Sequence, residues 1–173
     1  MNDSVIMFID LSLAIDESIP VFPGNPKPVI KQLSTISIKG WNEKQLTITS
    51  HFSTHIDAPR HMIEQGKTLS DYPIDSFIGK AIVFDVRGKK LIDVDVSEVK
   101  ENDIVFFNTN HIYQKNSSSF FDDNPVLSER TIQDLIKKKI SIIGIDSFTP
   151  DNEPFTSHKK LFNHDIRIVE NLV

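Results

Sequence analysis

Cysteine is absent from this 173-residue chain. No disulfide framework and no thiolate metal site can form, so any metal must be held by nitrogen and oxygen ligands. Positive charge is also short: 19 Lys and Arg stand against 24 Asp and Glu, a net charge of −5. That balance argues against a nucleic-acid surface. The one basic run, Lys137-Lys138-Lys139, is explained as a helix C-terminus. Long apolar runs are missing too; none approaches the ~18 residues that span a bilayer. The N-terminus lacks a basic n-region followed by an apolar h-region, so the sequence predicts no signal peptide and a cytoplasmic protein. What remains is the composition of an ordinary soluble protein and the length of one domain with a normal core.

The chemistry-bearing residues are concentrated in one stretch, His51-Phe52-Ser53-Thr54-His55-Ile56-Asp57-Ala58-Pro59-Arg60-His61. It holds three of the six histidines and a carboxylate. Imidazole nitrogen and carboxylate oxygen are the usual ligands of a hydrolytic zinc or manganese site. A polar turn with chance histidines is the alternative, and so few histidines rarely cluster this way. Alternation from Leu46 (Leu46 and Ile48 on one side, Thr47 and Thr49 on the other) predicts a half-buried strand. Were it to continue, His51 and His55 would lie about 13 Å apart, at roughly 3.3 Å per residue. Two ligands of one ion each need a bond of about 2 Å. The strand must therefore break near Ser50, with a tight turn at Ser53-Thr54. Pro59 excludes a long helix through the stretch.

Elsewhere the chain reads as a mixture of strands with few helices. Val5-Ile6-Met7-Phe8-Ile9 predicts a first strand. Pro20 to Pro28 carries four prolines, which stiffen it and exclude regular hydrogen bonding. It reads either as a rigid connector or as a loop presenting Phe22 to a ligand or partner subunit. Val29–Ile38 and Glu43–Thr49 predict two antiparallel strands around a turn at Lys39-Gly40-Trp41-Asn42. Trp41, the one tryptophan, reads as a packing residue. One helical turn fits Leu69 to Pro73, and at most one fits Ser97 to Lys100. The apolar runs Ala81–Val86 and Ile104–Phe107 predict strands buried on both faces. Asn108 to Asn124 is a long polar loop of the kind that is functional or mobile. Its His111 reads as solvent-exposed, with a substrate role the lesser alternative.

Ser128 is a plausible N-cap for the clearest helix, where Ile132, Leu135, Ile136 and Ile140 recur at helical spacing. Ile142–Asp146 follows as a buried strand, and this order indicates an α/β sheet with at least one crossover. Ile166–Glu170 predicts a strand that puts Glu170 on the face of Ile166 and Ile168. A carboxylate there is either paired or metal-bound, or marks a strand end that reaches water. His158 follows an acidic, proline-containing loop, and His164 reads as exposed.

The central stretch, HFSTHIDAPRH, resembles the H-x-G-T-H-x-D-x-P-x-H signature of the putative cyclase family, which includes bacterial kynurenine formamidase and the isatin hydrolases. Every signature position matches except the glycine, which is Ser53. Asp10-Leu11-Ser12, Phe22-Pro23-Gly24, Phe77–Ala81, Ile143–Ser147, His158 and Ile168–Leu172 are similar to further landmarks of that family, so the resemblance covers most of the chain.

The resemblance implies a single α/β domain over residues 1–173, with a mixed β-sheet of the barrel-like, swivelling β/β/α type and few flanking helices. It implies His51, His55, Asp57, His158 and Glu170 as metal ligands, with two zinc or manganese ions per subunit bridged by Asp57 and Glu170. His61 is implied as proton donor and acceptor, and Phe22 as a substrate contact where the family often has Trp. Ser53 can stand for glycine if the turn does not require a positive φ. The implied activity is hydrolysis of a small N-acyl or cyclic amide. The first expectation is N-formylkynurenine to kynurenine and formate, a step of tryptophan catabolism. Alternatives are an isatin hydrolase-like lactam hydrolase and a non-catalytic metal-binding or assembly domain. The resemblance implies a homodimer or homotetramer whose partner is a small-molecule substrate, with neither nucleic acid nor membrane. Relatives continue past Val-Glu-Asn-Leu, including a strand with an Arg near a Gly-rich turn. A truncated or short form lacking that strand is therefore expected.

Overall fold

Val29–Ser34 (β1) and Glu43–Thr47 (β2) pair antiparallel, as their patterns predict. The computed structural model describes residues 7–173. The strand expected to reach Ile38 stops at Ser34. The register shifts between Gln32 and Ser34, and the Gln32 amide donates to the carbonyls of Ser34 and Glu43 at that bulge. A single helical turn follows, Ile36–Lys39 (α1), closed by Gly40 at φ 84°. Glycine takes this left-handed position without steric cost. Trp41 comes next and is 55% exposed, so it is not the packing residue expected. Of the expected first strand, Val5 and Ile6 lie outside the described residues, and Met7–Ile9 are irregular and exposed.

The remaining strands are His55–Asp57 (β3), Ala81–Asp85 (β4), Leu91–Ile92 (β5), Ile104–Asn108 (β6), Val126–Leu127 (β7), Ile142–Ile145 (β8) and Arg167–Glu170 (β9). Five of them build one sheet in the order β3-β9-β8-β6-β4. Its parallel part runs from β9 to β4, and β3 joins antiparallel to β9. β5 and β7 form a small parallel pair. This is the expected single α/β domain with a mixed sheet and few helices. The described strands do not close into a barrel: β3 and β4 are free edges.

Parallel neighbours need crossovers, and the two longer helices supply two of the three in this sheet. Glu129–Lys138 (α2) links β6 to β8, and Thr156–Phe162 (α3) links β8 to β9. Ser128 caps α2 as predicted, its hydroxyl accepting the Thr131 N–H, and Lys137 and Lys138 lie in the last turn. Ile132 and Leu135 face Val105, Phe107, Ile143, Ile145 and Ile168 across the core, with Leu161 and Phe162 of α3 beside them. Gly144 faces the other way. A Cβ there would lie 2.5 Å from the Phe106 ring and 2.8 Å from Leu172, so only glycine fits between them.

Two expectations fail for one reason. β4 has the composition of a strand buried on both faces, yet it is an edge strand with Val83 62% exposed. His111 sits in a polar loop, yet it is buried and neither exposed nor aimed at a substrate. Its Nε2 lies 2.7 Å from the Phe120 carbonyl and its ring stacks on Phe120. Local composition says nothing of what packs from elsewhere in the chain. No described helix is long and apolar enough to cross a membrane.

Candidate metal centre

The strand break expected near Ser50 is present, a few residues earlier. β2 ends at Thr47, and Ser53 takes φ 60° before β3 begins at His55. The turn does adopt a positive φ, contrary to the condition under which serine would replace glycine freely. A left-handed serine is strained. It is held because the Ser53 hydroxyl donates to the Leu13 carbonyl at 3.2 Å, and because its own carbonyl, turned inward, accepts from His55 Nδ1 at 3.0 Å and Asn171 Nδ2 at 3.1 Å. Thr54 ties the same turn to the end of β9: its hydroxyl donates to the Asn171 carbonyl and accepts the Leu13 N–H.

These contacts bring four segments together. The turn folds His51 back on His55, with Nδ1 and Nε2 3.2 Å apart. Pairing of β3 with β9 sets His55 opposite Glu170, and His55 Nε2 lies 3.5 Å from Glu170 Oε2. Asp57 Oδ1 is 2.8 Å from His51 Nδ1 and 3.4 Å from His55 Nε2. His158, on α3, brings Nε2 to 3.2 Å from Glu170 Oε1. His61 follows Pro59 in a short 3-10 turn and lays its ring 3.9 Å from that of His51. Ligand atoms of His51, Asp57 and His61 lie within 4.8 Å of one another, as do those of His55, Asp57 and Glu170. Asp57 is common to both groups. The geometry thus sets His61 as near Asp57 as a ligand would be, while His158 reaches the cluster through Glu170.

Sequence reading passed over the residue that orients His158. Asp151, buried in the loop before α3, sets Oδ1 2.5 Å from His158 Nδ1, and its Oδ2 accepts the N–H groups of Ser157 and His158. With Nδ1 donating to Asp151, the Nε2 lone pair of His158 faces the Glu170 carboxylate. His55 is set the same way, its Nδ1 donating to Ser53 and its Nε2 facing inward. Lone pairs converging on buried carboxylate oxygens are stable only around a proton or a cation. The donor set, imidazole and carboxylate with no sulfur, therefore fits a divalent cation of the zinc or manganese kind.

Protonation follows from the same contacts. Burial would lower the pKa of His158, but its bonds to Asp151 and Glu170 outweigh this and raise it to about 9. The hydrogen bond to Asp57 raises His51. Burial opposes ionisation of Asp57, yet His51 and the neighbouring imidazoles hold it below the usual carboxylate range. Burial raises Glu170 and lowers His61, so His61 is held neutral at neutral pH.

The sign of the resulting pH dependence is fixed. A folded-state pKa for His158 above its unfolded value gives stability that is complete below about pH 6.5 and lost as pH rises through about 9. The metal-stripped protein should therefore melt at lower temperature at pH 9.5 than at pH 6.5, by on the order of a few kcal/mol in stability. Saturating zinc should remove or reverse that trend, because the cation replaces the proton. Thermal melts with and without chelator read both.

Above the cluster is a cavity of about 360 Å³. Phe22, expected as a substrate contact, lines it, in edge and tilted contact with Phe121 and Phe148 at 5.9 Å each. Phe121 comes from the long 108–124 loop, so that loop reaches the site through a phenylalanine rather than through His111. Phe155 adds a fourth ring beside His158. Isolated phenylalanines outside a motif carry no signal in sequence.

Comparison with known proteins agrees with this fold. A sequence profile described as Putative cyclase matches residues 9–152. A protein named kynurenine formamidase from Geobacillus thermodenitrificans is 32% identical, over 96% of this chain and 82% of its own length. One of the same name from Erythrobacter litoralis is 29% identical, over 95% and 78%. Among solved structures, one described as a potential metal-dependent hydrolase with cyclase activity is 28% identical with a TM-score of 0.77, covering 95% of this chain and 80% of its own. An isatin hydrolase bound to the product analogue thioisatinate shares the fold at a TM-score of 0.81 and 18% identity, over 95% and 79%. A profile match over most of the chain, together with a relative above 30% identity along nearly all of it, shows that this chain belongs to the putative cyclase family.

Proposed function

We propose that the chain is a divalent-metal-dependent hydrolase of small N-acyl amides, with N-formylkynurenine first among its substrates. One observation carries the reading. His51, His55 and Asp57 from one short stretch, His158 from α3 and Glu170 from β9 converge beneath an aromatic cavity, with a neutral imidazole, His61, at its side. Relatives about 30% identical bear the kynurenine formamidase name, which supports amide hydrolysis.

In this reading the five side chains would hold zinc or manganese, two ions per subunit. A bound divalent cation lowers the pKa of water and polarises a carbonyl. The residues do the rest. Phe22, Phe121 and Phe148 hold the ring of the substrate and exclude water from the acyl group. Neutral His61 takes a proton from the attacking water and returns it to the leaving nitrogen, a role that needs a pKa near the working pH. His158, held by Asp151 and bonded to Glu170, keeps its proton at neutral pH and is unsuited to that shuttle.

A cyclic amide is the second reading, and the cavity lining favours it on one point. Among the described residues no Lys or Arg lines the cavity, so none is there to pair with the carboxylate of an amino-acid substrate. Both readings are tested by supplying zinc and manganese separately and assaying N-formylkynurenine and uncharged aryl lactams. Turnover of the formamide supports the first reading, and turnover of lactams alone supports the second. If the protein takes up no metal, both readings fail; if it takes up metal and turns over neither class, a non-catalytic metal-binding domain stands in their place.

A further inference from the structure

One buried histidine takes no part in the chemistry proposed above. His111 does not line the cavity, yet it is buried within the loop of residues 108–124. Its backbone is fixed from below by Asp146, which follows the end of β8. Asp146 Oδ1 accepts the Thr109 N–H at 2.7 Å and the Thr109 hydroxyl at 2.5 Å, and Oδ2 accepts the Asn110 N–H at 2.7 Å. Thr109 Oγ1 in turn accepts the His111 N–H at 3.1 Å.

From that anchor the imidazole reaches across the loop to Phe120. A carbonyl can only accept, so Nε2 carries the proton and donates to the Phe120 carbonyl at 2.7 Å. The two rings stack with centroids 4.8 Å apart and 10° between their planes. Phe120 is buried, whereas Asn116, Ser117 and Ser118 before it are exposed and offer no apolar side chain to hold the loop down. The Phe120 ring lies 5.1 Å from that of Phe121 and 5.9 Å from that of Phe148. Phe121 and Phe148 are 4.9 Å apart and line the cavity. His111 therefore stands directly behind the aromatic wall of the site.

We propose that His111 is a positioning residue: through its bond to the Phe120 carbonyl it holds Phe121 in the cavity wall, and so sets the affinity of the site for the ring of an aryl amide. The inference rests on the cavity being the substrate site of the proposed hydrolase. Without the donor, the Phe120 carbonyl is left unpaired in a buried place, which costs more than one hydrogen bond is worth on average. The loop then relaxes toward water, and a substrate must order Phe121 again before it gains the ring contact. A histidine that merely fills the core predicts something else, a lower melting temperature with an unchanged site.

Calorimetric titration of the full, zinc-loaded chain with indole, a neutral aryl ring with no amide to cleave, tests this. His111→Ala should raise the indole Kd by about tenfold, as Phe121→Ala should, with metal content and circular dichroism unchanged. His111→Gln keeps an N–H for the Phe120 carbonyl and should recover most of that loss. If His111→Ala fails to fold, His111→Phe takes its place, since it fills the space, lacks the donor and should weaken indole in the same direction. With formanilide the loss should appear in KM, with kcat unchanged. Variants that lack the donor yet bind indole as tightly as the parent would overturn the proposal. A loss confined to kcat would overturn it too, as would a parent that binds no indole at millimolar concentration. Indole binding does not depend on turnover. Absence of hydrolysis with the indole results intact refutes the hydrolase reading alone, and hydrolysis with indole binding indifferent to His111 refutes the positioning role alone.

Discussion

Replacing His61 by Asn should lower kcat for the preferred amide by about 10²- to 10⁴-fold, the usual contribution of a positioned acid–base group. The protein should still bind metal. His61 is exposed on the cavity side of the cluster, its ring against that of His51, and desolvation by the neighbouring groups holds it neutral at neutral pH. It is the imidazole with no hydrogen-bond partner among the described side chains, whereas His51, His55 and His158 are each bonded to a carboxylate, a carbonyl or another imidazole. The competing role is equally concrete, because its ring nitrogen lies within 4.8 Å of ligand atoms of His51 and Asp57. Metal content separates the two. A His61→Asn protein that is inactive with unchanged stoichiometry and affinity has lost its proton carrier. One that is inactive because an ion is missing has lost a ligand, and the assigned role is then wrong. His51→Asn serves as the reference that should lose metal.

The motif was legible because its chemistry is contiguous. His51, His55, Asp57 and His61 fall within eleven residues, and the distance that an unbroken strand would impose on two ligands forces the turn found at Ser53. The helix α2 was legible for a related reason: its cap, its apolar spacing and its terminal lysines are all local. What failed depends on partners distant in sequence. Ala81–Val86 is as apolar as Ile104–Phe107, but one has neighbours on both sides and the other has none beyond its outer edge. His111 is buried because Phe120 folds over it, and Ser53 tolerates φ 60° because Leu13 and Asn171 bond to it. The fold-level pattern, strands joined through helices, carried over, while the order of strands and the open edges did not follow from any local run.

Asp151 is the residue whose loss separates geometry from mere folding. Its Oδ1 takes the Nδ1 proton of His158 and so leaves Nε2 as the face turned to Glu170; its Oδ2 fixes the first backbone N–H groups of α3. An imidazole ligand oriented by a carboxylate partner is held in one tautomer and made more basic, and loss of such a partner costs 10- to 100-fold in metal affinity. Asp151→Asn should therefore weaken zinc binding by about that factor. The amide can still accept the two backbone N–H groups, so the start of α3 should survive. It cannot accept a second charge-assisted bond from His158 as a carboxylate does, and the ring is free to choose the other tautomer. Asp151→Ala should lose both functions and destabilise the fold further, by about 1–3 kcal/mol for buried donors left unpaired. Calorimetric titration with zinc, set beside melting temperatures of the metal-free proteins, distinguishes them. If Asp151→Asn binds zinc as tightly as the parent, His158 needs no orienting partner, and Asp151 serves the loop alone. If its affinity falls while the metal-free melt is unchanged, the carboxylate acts through the histidine, and the site extends one residue beyond the converging cluster.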